Sequence, residues 1–427
     1  MRRFRHTDPD FEAAFVAFVD ERRDTPEDVD VAVRDILAAV RQEGLAALLR
    51  LARQFDGIEL DEVSIRVSAE EIEAGAAHCA ADVREAIAFA AGRIRAYHER
   101  QRPADQRFTD EAGVELGWRW TALDAVGIYV PGGRAAYPST VLMNAVPASV
   151  AGVSRIAMVT PPGRLQPAVL AAAKEAGVSE IWRVGGAQAV AALAYGAGPI
   201  AAVDKIVGPG NAYVTAAKRR VYGVVGIDAL AGPSEIVVVA DGENRPDWIA
   251  ADLLSQAEHD PAAQAILITD DEAFATRVEA AVANQLSVLA TGADAAASWR
   301  DHGAVVIAPL SDAPRLVDRI APEHVEFAVA DPERMAAQVR HAGAMFLGRL
   351  TPEAIGDYVA GSNHVLPTSR AARFSSGLSL YDFLKRTSIV KCDEKAFAAL
   401  GPATVTLAEA EGLPAHARSA AIRLGQS

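Results

Sequence analysis

Two polar side chains lie one helical turn apart at the end of an otherwise apolar segment. The stretch DLLSQAEHDP (252–261) has the spacing of an amphipathic helix, and it places Gln256 three residues before His259. An amide oxygen and an imidazole nitrogen on one helix face can bind a divalent cation together. A histidine at a helix C-terminus can instead interact with the helix dipole, and spacing alone leaves both explanations of His259 open.

A carboxylate and an imidazole are neighbours in APEHVEF, between a predicted helix and a predicted strand. These are Glu323 and His324, which follow Pro322. Adjacent residues of a strand point to opposite faces, so both can reach one cleft only from an irregular turn, which proline favours. At a sheet edge, this pair suits general acid–base chemistry.

Two further histidines have polar surroundings. His364 lies in GDYVAGSNHVLPT, after a predicted helix that carries Asp357, and His416 follows Glu411 in EAEGLPAHA. The other histidines lie in polar helical or terminal settings and are predicted to be solvated at the surface: His6, His78, His98, His302 and His341.

Four of these side chains could form one metal site, although the sequence cannot show that they meet. Gln256, His259, Asp357 and His416 offer two nitrogens and two oxygens, which suits Zn²⁺ or a similar divalent ion. They form no compact ligand motif. Cys392 could be considered as a nucleophile, but no histidine is near it in sequence, and a bystander thiol explains it better.

Three glycine loops follow predicted strands and open predicted helices. They are PGGRAAYPST (131–140), VGGAQAV (184–190) and VGPGNAYV (207–214), and none completes the G-x-G-x-x-G fingerprint. Glycine lets a ligand approach the backbone, and a helix N-terminus attracts phosphate. Loops on consecutive strands line one crevice at the carboxyl edge of a parallel sheet, so together they favour a dinucleotide site.

The elements that carry these groups alternate in two series, which predicts an α/β fold with two tandem Rossmann-like parallel sheets. The first series has strands at 126–130, 155–160, 180–186 and 204–210, and the second at 235–241, 264–270, 304–309, 325–331 and 344–348. Helices are predicted between these strands, through most of the first 120 residues and over LYDFLKRTS and PAHARSAAIRLG in the tail.

The predicted division into domains is discontinuous. It has a helical extension (1–24), a first α/β domain with most site residues (25–125 plus 235–376), a second with the nucleotide loops (126–234) and a tail (377–427). The tail is too small to bury its own core, so it is predicted to pack on another domain or a partner subunit.

Composition excludes several classes of protein. The chain has 427 residues and a formal charge of −14, which argues against binding to nucleic acid or to an anionic membrane surface. Its one long uncharged run, 184–203, contains glycines, Gln188 and Pro199, which suits a buried strand–turn–helix better than a membrane span. Two distant cysteines and an acidic start suit a cytoplasmic protein.

Together these motifs resemble those of histidinol dehydrogenases, from about residue 25 onward. The matching segments are, in order, VGIYVPGG, GGAQAVAALAYG, VDKIVGPGNAYVTAAKR, AGPSEI, DLLSQAEHDP, PEHVEF, GDYVAGSNHVLPT, FSSGLSLYDFLKRTS and AEAEGLPAHARS. The resemblance implies oxidation of L-histidinol through L-histidinal to L-histidine, the last step of histidine biosynthesis, with two NAD⁺ and one water.

The resemblance also implies roles for particular residues. It implies zinc ligands at Gln256, His259, Asp357 and His416, with the zinc holding the substrate and His416 donated across a domain-swapped homodimer. It implies further substrate contacts at Ser234, His364 and Glu411, and NAD contacts at Tyr129, Gln188 and Asn211. His324 is then the expected base for hydride transfer, and Glu323 is expected to activate water.

Two alternatives stay open at this point. One is a related zinc- and NAD-dependent dehydrogenase acting on another small alcohol, such as sulfopropanediol. The other is a zinc hydrolase or a non-catalytic metal-binding protein, which would have no use for dinucleotide loops.

Overall fold

In the computed structural model of the chain, the described residues are 1–21, 27–132 and 137–426, and they form an α/β fold with two parallel sheets. The strands are β1 (Arg2–Arg5), β2 (Gln106–Thr109), β3 (Glu115–Ala122), β4 (Ala125–Tyr129), β5 (Arg155–Thr160), β6 (Glu180–Arg183), β7 (Lys205–Val207), β8 (Gly226–Ile227), β9 (Glu235–Ala240), β10 (Gln264–Thr269), β11 (Ala304–Ile307), β12 (His324–Ala328), β13 (Ala344–Leu347) and β14 (Leu384–Lys391).

The α-helices surround these strands. They are α1 (Phe11–Asp20), α2 (Glu27–Glu43), α3 (Leu45–Asp56), α4 (Ala69–His78), α5 (Ala81–Glu99), α6 (Pro138–Ala151), α7 (Pro167–Ala176), α8 (Gly186–Tyr195), α9 (Ala212–Val221), α10 (Pro246–Ala257), α11 (Glu272–Leu286), α12 (Gly292–His302), α13 (Ala313–Ile320), α14 (Pro332–Ala336), α15 (Glu353–Tyr358), α16 (Glu394–Ala410) and α17 (Pro414–Arg423). Short 3₁₀ turns lie at Pro162–Arg164, Leu310–Asp312, Ala371–Arg373 and Leu380–Phe383.

The two parallel sheets have the same strand order. The five-stranded sheet runs β6-β5-β4-β7-β8, and the six-stranded sheet runs β11-β10-β9-β12-β13 with β1 added beyond β11. In each, the chain winds outward from a central strand and then returns to the other side of it. This is the doubly wound arrangement, so the prediction of two tandem Rossmann-like units is confirmed.

Both sheets are buried on two faces, which explains their apolar strands. All six residues of β9, EIVVVA, are buried, and two separate apolar clusters cover the faces of this sheet. Two more clusters cover the faces of the five-stranded sheet. No helix of the described residues is long and apolar enough to cross a membrane.

The N-terminal segment differs from the predicted helical extension. Residues 2–5 form β1, which pairs in parallel with β11, and only α1 is helical within 1–21. Residues 22–26 lie outside the described residues. Helices α2 to α5 pack against the helices of the five-stranded sheet, whereas the predicted division grouped residues 25–125 with the other sheet.

The tail contains a strand where a helix was predicted. LYDFLKRTS forms a 3₁₀ turn and then β14, which pairs antiparallel with β3 along its full length. The helical prediction for this stretch is therefore wrong, because pairing with β3 overrides its local spacing. Beyond β14, α16 and α17 pack on each other and leave Leu407 and Ile422 more than half exposed.

One histidine predicted to be solvated is buried instead. His98 has no exposed surface, and its Nδ1 lies 2.7 Å from the carbonyl oxygen of Ile94 one turn earlier. Burial lowers the pKa of His98. The polar sequence around it, YHERQR, misled the prediction because only one face of α5 is solvated.

A buried ion pair holds the turn after β7. Lys218 and Asp228 form a salt bridge with both side chains about 95% buried. The Nζ of Lys218 donates to the carbonyl oxygen of Gly208 (2.9 Å), and the N–H of Gly208 donates to Asp228 (2.7 Å). Gly208 has φ +110°, and a Cβ there would lie 2.3 Å from the carbonyl oxygen of Tyr129, so only glycine fits.

Replacing the buried lysine should therefore destabilise the protein strongly. We expect Lys218→Met to lower the free energy of unfolding by about 3–5 kcal/mol, because Asp228 would stay buried without its counter-charge. Urea denaturation measures this. Lys174→Met is the matched control, since its partner Glu73 and Lys174 itself are both more than half exposed, and its loss should be within about 1 kcal/mol. Equal losses in the two variants would contradict the assignment.

Candidate active site

The predicted acid–base pair lies at the amino edge of the six-stranded sheet, where its strands begin. The N–H of Glu235 donates to the carboxylate of Glu323 (3.0 Å), and Nδ1 of His324 lies 3.1 Å from the carbonyl oxygen of Glu235. The peptide groups before and after the Cα of Glu235 thus orient the side chains of Glu323 and His324, respectively. Since Nδ1 must donate to that carbonyl, Nε2 is the unprotonated nitrogen.

This nitrogen is available as a base. His324 is 3% exposed, and its Nε2 has no hydrogen-bond partner among the described residues. Burial lowers the pKa of His324 to about 3, which keeps the imidazole neutral. Burial also raises the pKa of Glu323 well above its usual value, and a carboxylate with a raised pKa is a stronger base toward water.

Carboxyl groups surround the imidazole. Glu353 Oε1 lies 3.4 Å from Nδ1 of His324, and Asp357 Oδ1 lies 3.8 Å from its Nε2. One donor atom from each of His324, Glu353 and Asp357 lies within 4.8 Å of the others, close enough to hold a cation. Burial raises the pKa of Asp357 to about 7.

The two residues of DLLSQAEHDP also reach this cleft. Gln256 is fully buried, and its Nε2 lies 3.5 Å from Nδ1 of His259, which is too long for a good hydrogen bond. Its Oε1 has no partner among the described residues. A charge on His259 lowers the pKa values of His324 and His364, so the three rings lie near one another.

His364 and Ser234 complete the inner surface. Nδ1 of His364 lies 3.0 Å from the carbonyl oxygen of Asp357, and burial lowers the pKa of His364 to about 4. Ser234 directly precedes Glu235, and its carbonyl oxygen accepts the N–H of Gln264. Of the predicted substrate contacts, His364 is thus tied to Asp357, and Ser234 adjoins the residue that holds Glu323 and His324.

Two predicted site residues lie elsewhere in the chain. Glu411 and His416 are exposed on the α16–α17 hairpin, and the compact cation-sized group among the described residues includes neither. That group shares only Asp357 with the predicted ligand set.

The sequence analysis missed three acids beneath the site, of which Glu326 and Glu353 are buried and Asp252 is half-buried. Glu326 hydrogen-bonds to Asp252, and its Oε1 accepts the N–H of Glu353 at 2.6 Å. These contacts join β12, α10 and α15, the elements that carry His324, Gln256 and Asp357. The signal was present in the sequence, because Glu326 interrupts the apolar strand HVEFA and Asp252 begins the DLLSQAEHDP stretch.

The predicted nucleotide residues lie at the carboxyl edge of the five-stranded sheet. Tyr129 ends β4, and its hydroxyl accepts the N–H of Gly186 at 3.0 Å; Gln188 lies in the first turn of the helix that Gly186 opens. Asn211 caps α9, and its side-chain oxygen accepts two backbone N–H groups, so only its amide nitrogen remains to donate. Residues 133–136 of the first glycine loop lie outside the described residues.

One contact joins the segment after Asp357 to helix α6 of the nucleotide-side domain. The side chain of Asn363 donates to the carbonyl oxygen of Met143 in α6 at 2.6 Å. The segment between Asp357 and His364 therefore packs against the nucleotide-side domain.

Fold and site together define an α/β enzyme with a buried acid–base pair, whose histidine belongs to a cation-sized cluster at the amino edge of one doubly wound sheet. Such an arrangement is suited to proton and hydride removal from a small substrate.

Similarity to known proteins identifies the family. A model of the histidinol dehydrogenase family matches residues 19–424. The chain is 79% identical to the histidinol dehydrogenase of Caulobacter vibrioides, over 99% of both chains, and 60% identical to that of Rhodospirillum rubrum, also over 99% of both. The crystal structure of histidinol dehydrogenase from Elizabethkingia anophelis superposes with a TM-score of 0.94 at 35% identity, covering 100% of this chain and 98% of that one.

The chain belongs to the histidinol dehydrogenase family and is an oxidoreductase of histidine biosynthesis. The resemblance found in the sequence motifs is thereby confirmed.

The buried acid Glu326 gives a prediction with a pH dependence. Burial raises its pKa, so the folded protein holds a proton there that the unfolded chain releases above about pH 4.5. The stability that this proton contributes is lost as pH rises toward the folded-state pKa. In Glu326→Gln, an amide that does not titrate can make both hydrogen bonds. The unfolding free energy of this variant should therefore fall less than that of the wild type as pH rises.

Glu326→Leu is the matched comparison, because it removes both hydrogen bonds. We expect it to cost about 2–4 kcal/mol in chemical denaturation, since the N–H of Glu353 and the carboxyl of Asp252 lose their partner. If Gln and Leu at this position gave the same stability at every pH, the hydrogen-bonded role of Glu326 would be excluded.

Proposed function

We propose that the enzyme oxidises L-histidinol to L-histidinal and then to L-histidine, with two NAD⁺ and a zinc ion that holds the substrate. The observation that carries this proposal is the His324 ring, whose Nδ1 is committed to the carbonyl oxygen of Glu235 and whose Nε2 lies unpartnered in the buried cleft. Glu323, fixed by the same residue, supplies the second proton acceptor that a two-step oxidation requires.

The residues present fit a zinc ion. We assign it to Gln256, His259 and Asp357 of one subunit and His416 of its partner, since the buried Gln256 Oε1 lacks a hydrogen-bond partner among the described residues. Two nitrogens and two oxygens suit this metal. When bound, zinc holds the imidazole and amino nitrogens of the substrate and fixes its carbinol carbon. Ser234, His364 and Glu411 are the further substrate contacts.

In the first oxidation, His324 Nε2 accepts the hydroxyl proton while hydride leaves the carbinol carbon. The imidazolium that forms is stabilised by Glu353 or Asp357 once either is ionised, since they lie 3.4 and 3.8 Å from the two ring nitrogens. The attraction of an ionised carboxylate for the imidazolium opposes the effect of burial, which lowers the pKa of the ring.

In the second oxidation, Glu323 takes a proton from water as the water oxygen adds to the aldehyde carbon, and the His324 imidazolium gives its proton to the aldehyde oxygen, which leaves the ring neutral again. The product is the hydrated aldehyde. His324 then accepts a proton from one of its hydroxyls as the second hydride leaves, which gives the carboxylic acid. Both acceptors act from fixed positions, so the intermediate need not leave the cleft.

NAD⁺ is placed at the carboxyl edge of the five-stranded sheet, in contact with Tyr129, Gln188 and Asn211. The free amide nitrogen of Asn211 and the buried side chain of Gln188 are the available donors. A division into two α/β domains and a tail remains part of the proposal, with the helices of residues 27–99 counted with the five-stranded sheet on which they pack. A cytoplasmic location is also proposed, which suits the two free cysteines.

The enzyme is also proposed to be a homodimer. The α16–α17 hairpin leaves Leu400, Leu407, Leu413 and Ile422 exposed, and Glu411 and His416 lie on it away from the cation-sized cluster. A partner subunit would cover this apolar surface and bring its own hairpin residues to the cleft.

The reaction can be tested by counting NADH. Purified zinc-loaded protein should form two NADH for each histidinol consumed and should show no comparable activity with sulfopropanediol. His324→Asn should reduce oxidation of both histidinol and histidinal by about 10²–10⁴-fold, because the base is lost in both hydride steps. Glu323→Gln should reduce mainly the oxidation of supplied histidinal. An unchanged histidinal rate in Glu323→Gln would contradict the role of Glu323.

The shared metal site can be tested by mixing two inactive variants. His259→Ala and His416→Ala chains, co-expressed with different tags, form a heterodimer in which one site carries both substitutions and the other carries neither. That heterodimer should recover about half of the wild-type activity and zinc content, because one of two sites is intact. Each homodimer alone is the control. A purified heterodimer without activity or zinc would show that His259 and His416 do not act across subunits.

A further inference from the structure

A glycine fingerprint does not identify the ribose-binding acid in this chain. In doubly wound dinucleotide sites, an Asp or Glu downstream of the glycine fingerprint hydrogen-bonds to the adenosine ribose, and this chain has no such fingerprint. Two acids near this edge are already engaged. Asp228 holds Lys218 and the N–H of Gly208, and Glu71 holds Arg183 and the N–H of Ser68.

Asp56 is placed differently. It is the last residue of α3, which ends at Gly57 in a left-handed conformation (φ +67°). Helix α3 packs against α8, the helix that carries Gln188, and against the 3₁₀ turn Pro162–Arg164. The side chain is half-buried, and its Oδ2 is a buried acceptor without a hydrogen-bond partner among the described residues.

Asp56 lies at the end of α3 that faces the start of α8. A Cβ on Gly198, just beyond the end of α8, would lie 2.8 Å from Cβ of Leu45 at the start of α3, so the two helices run in opposite directions. Burial raises the pKa of Tyr129 to about 12, and the negative charge of Asp56 adds to this rise. The Tyr129 hydroxyl accepts the N–H of Gly186, at the start of α8. Asp56 is therefore close to the point where β4 and α8 meet, on the same sheet edge as Tyr129 and Gln188.

We propose that Asp56 accepts hydrogen bonds from the adenosine ribose hydroxyls of NAD⁺ and thereby selects NAD⁺ over NADP⁺. This inference rests on the proposed NAD⁺-dependent function. A carboxylate offers two acceptor oxygens to two neighbouring hydroxyls, whereas the 2′-phosphate of NADP⁺ would meet a like charge in a partly desolvated site. An unpartnered acceptor in such a position gains its missing hydrogen bond when the ribose binds.

The test compares cofactor affinities of Asp56→Asn and wild type by isothermal titration calorimetry on the zinc-loaded protein without substrate. We expect the Kd for NAD⁺ to rise about tenfold in Asp56→Asn, because one charged acceptor is lost. The preference for NAD⁺ over NADP⁺ should fall at the same time, because the repulsion of the 2′-phosphate is removed. Glu59→Gln is the matched control, since Glu59 is exposed and paired with Arg53 three residues before Asp56.

A ligand-side probe keeps the test decisive if Asp56→Asn folds poorly. Wild-type protein should bind the 2′-deoxyadenosine analogue of NAD⁺ about tenfold more weakly than NAD⁺, and the variant should bind both alike. Equal affinity of the wild type for NAD⁺ and this analogue, or an unchanged NAD⁺ affinity in a folded Asp56→Asn, would overturn the assignment. Absence of NAD⁺ binding by the wild type would instead overturn the proposed function itself.

Discussion

The arrangement of the two proposed proton acceptors depends on the backbone of one residue, Glu235, at the amino end of β9. Its N–H holds the carboxylate of Glu323, and its carbonyl oxygen holds Nδ1 of His324. The register of the sheet fixes these contacts, because His324 pairs with Ile236, the next residue of β9. A shift of one residue in that pairing would turn His324 to the opposite face of the sheet. Because β9 is buried and paired on both sides, with β10 and β12, such a shift would be costly. The same strand pairing therefore stabilises the sheet and fixes the geometry of the proton acceptors.

The two sheets share a strand order but are used in opposite ways. The five-stranded sheet uses its carboxyl edge, as doubly wound sheets generally do. There Tyr129 ends β4, Gly186 begins α8 and Gly208 follows β7. The six-stranded sheet offers its amino edge, where β9 and β12 begin. Its helices must then reach that edge with their C-terminal ends, and α10 does so, because Gln256 lies in its last turn. Under the proposed function, the carboxyl edge of the five-stranded sheet binds the dinucleotide and the amino edge of the six-stranded sheet provides the proton acceptor. The two groups can then act on the same substrate carbon without competing for one site.

The sequence predicted the strands of both sheets well because their residues are buried on two faces. RIAMVT coincides with β5, and EIVVVAD and QAILITD each exceed their strand by one residue. The predictions of secondary structure and burial failed where contacts with distant residues determine them. LYDFLKRTS pairs with β3, residues 2–5 pair with β11, and His98 faces the core from a polar stretch. Gln256 lies next to His259, and Glu323 and His324 share Glu235 as a partner, as the short motifs allowed. The roles of the acids Asp252, Glu326 and Glu353 become visible only once their partners are known.

The buried acids also connect metal binding with proton release. Burial raises the pKa of Asp357 to about 7. A divalent ion bound there would favour the ionised form, and the proton would be released as the metal binds. Glu353 lies in the same group, and its pKa is raised by burial and then by the charge of Asp357. Neutralising Asp357 with a cation removes part of that repulsion and lets Glu353 ionise more readily beside Nδ1 of His324. Under the proposed zinc site, metal binding at Asp357 and ionisation of Glu353 are therefore linked, because both carboxyl groups lie on one short helix.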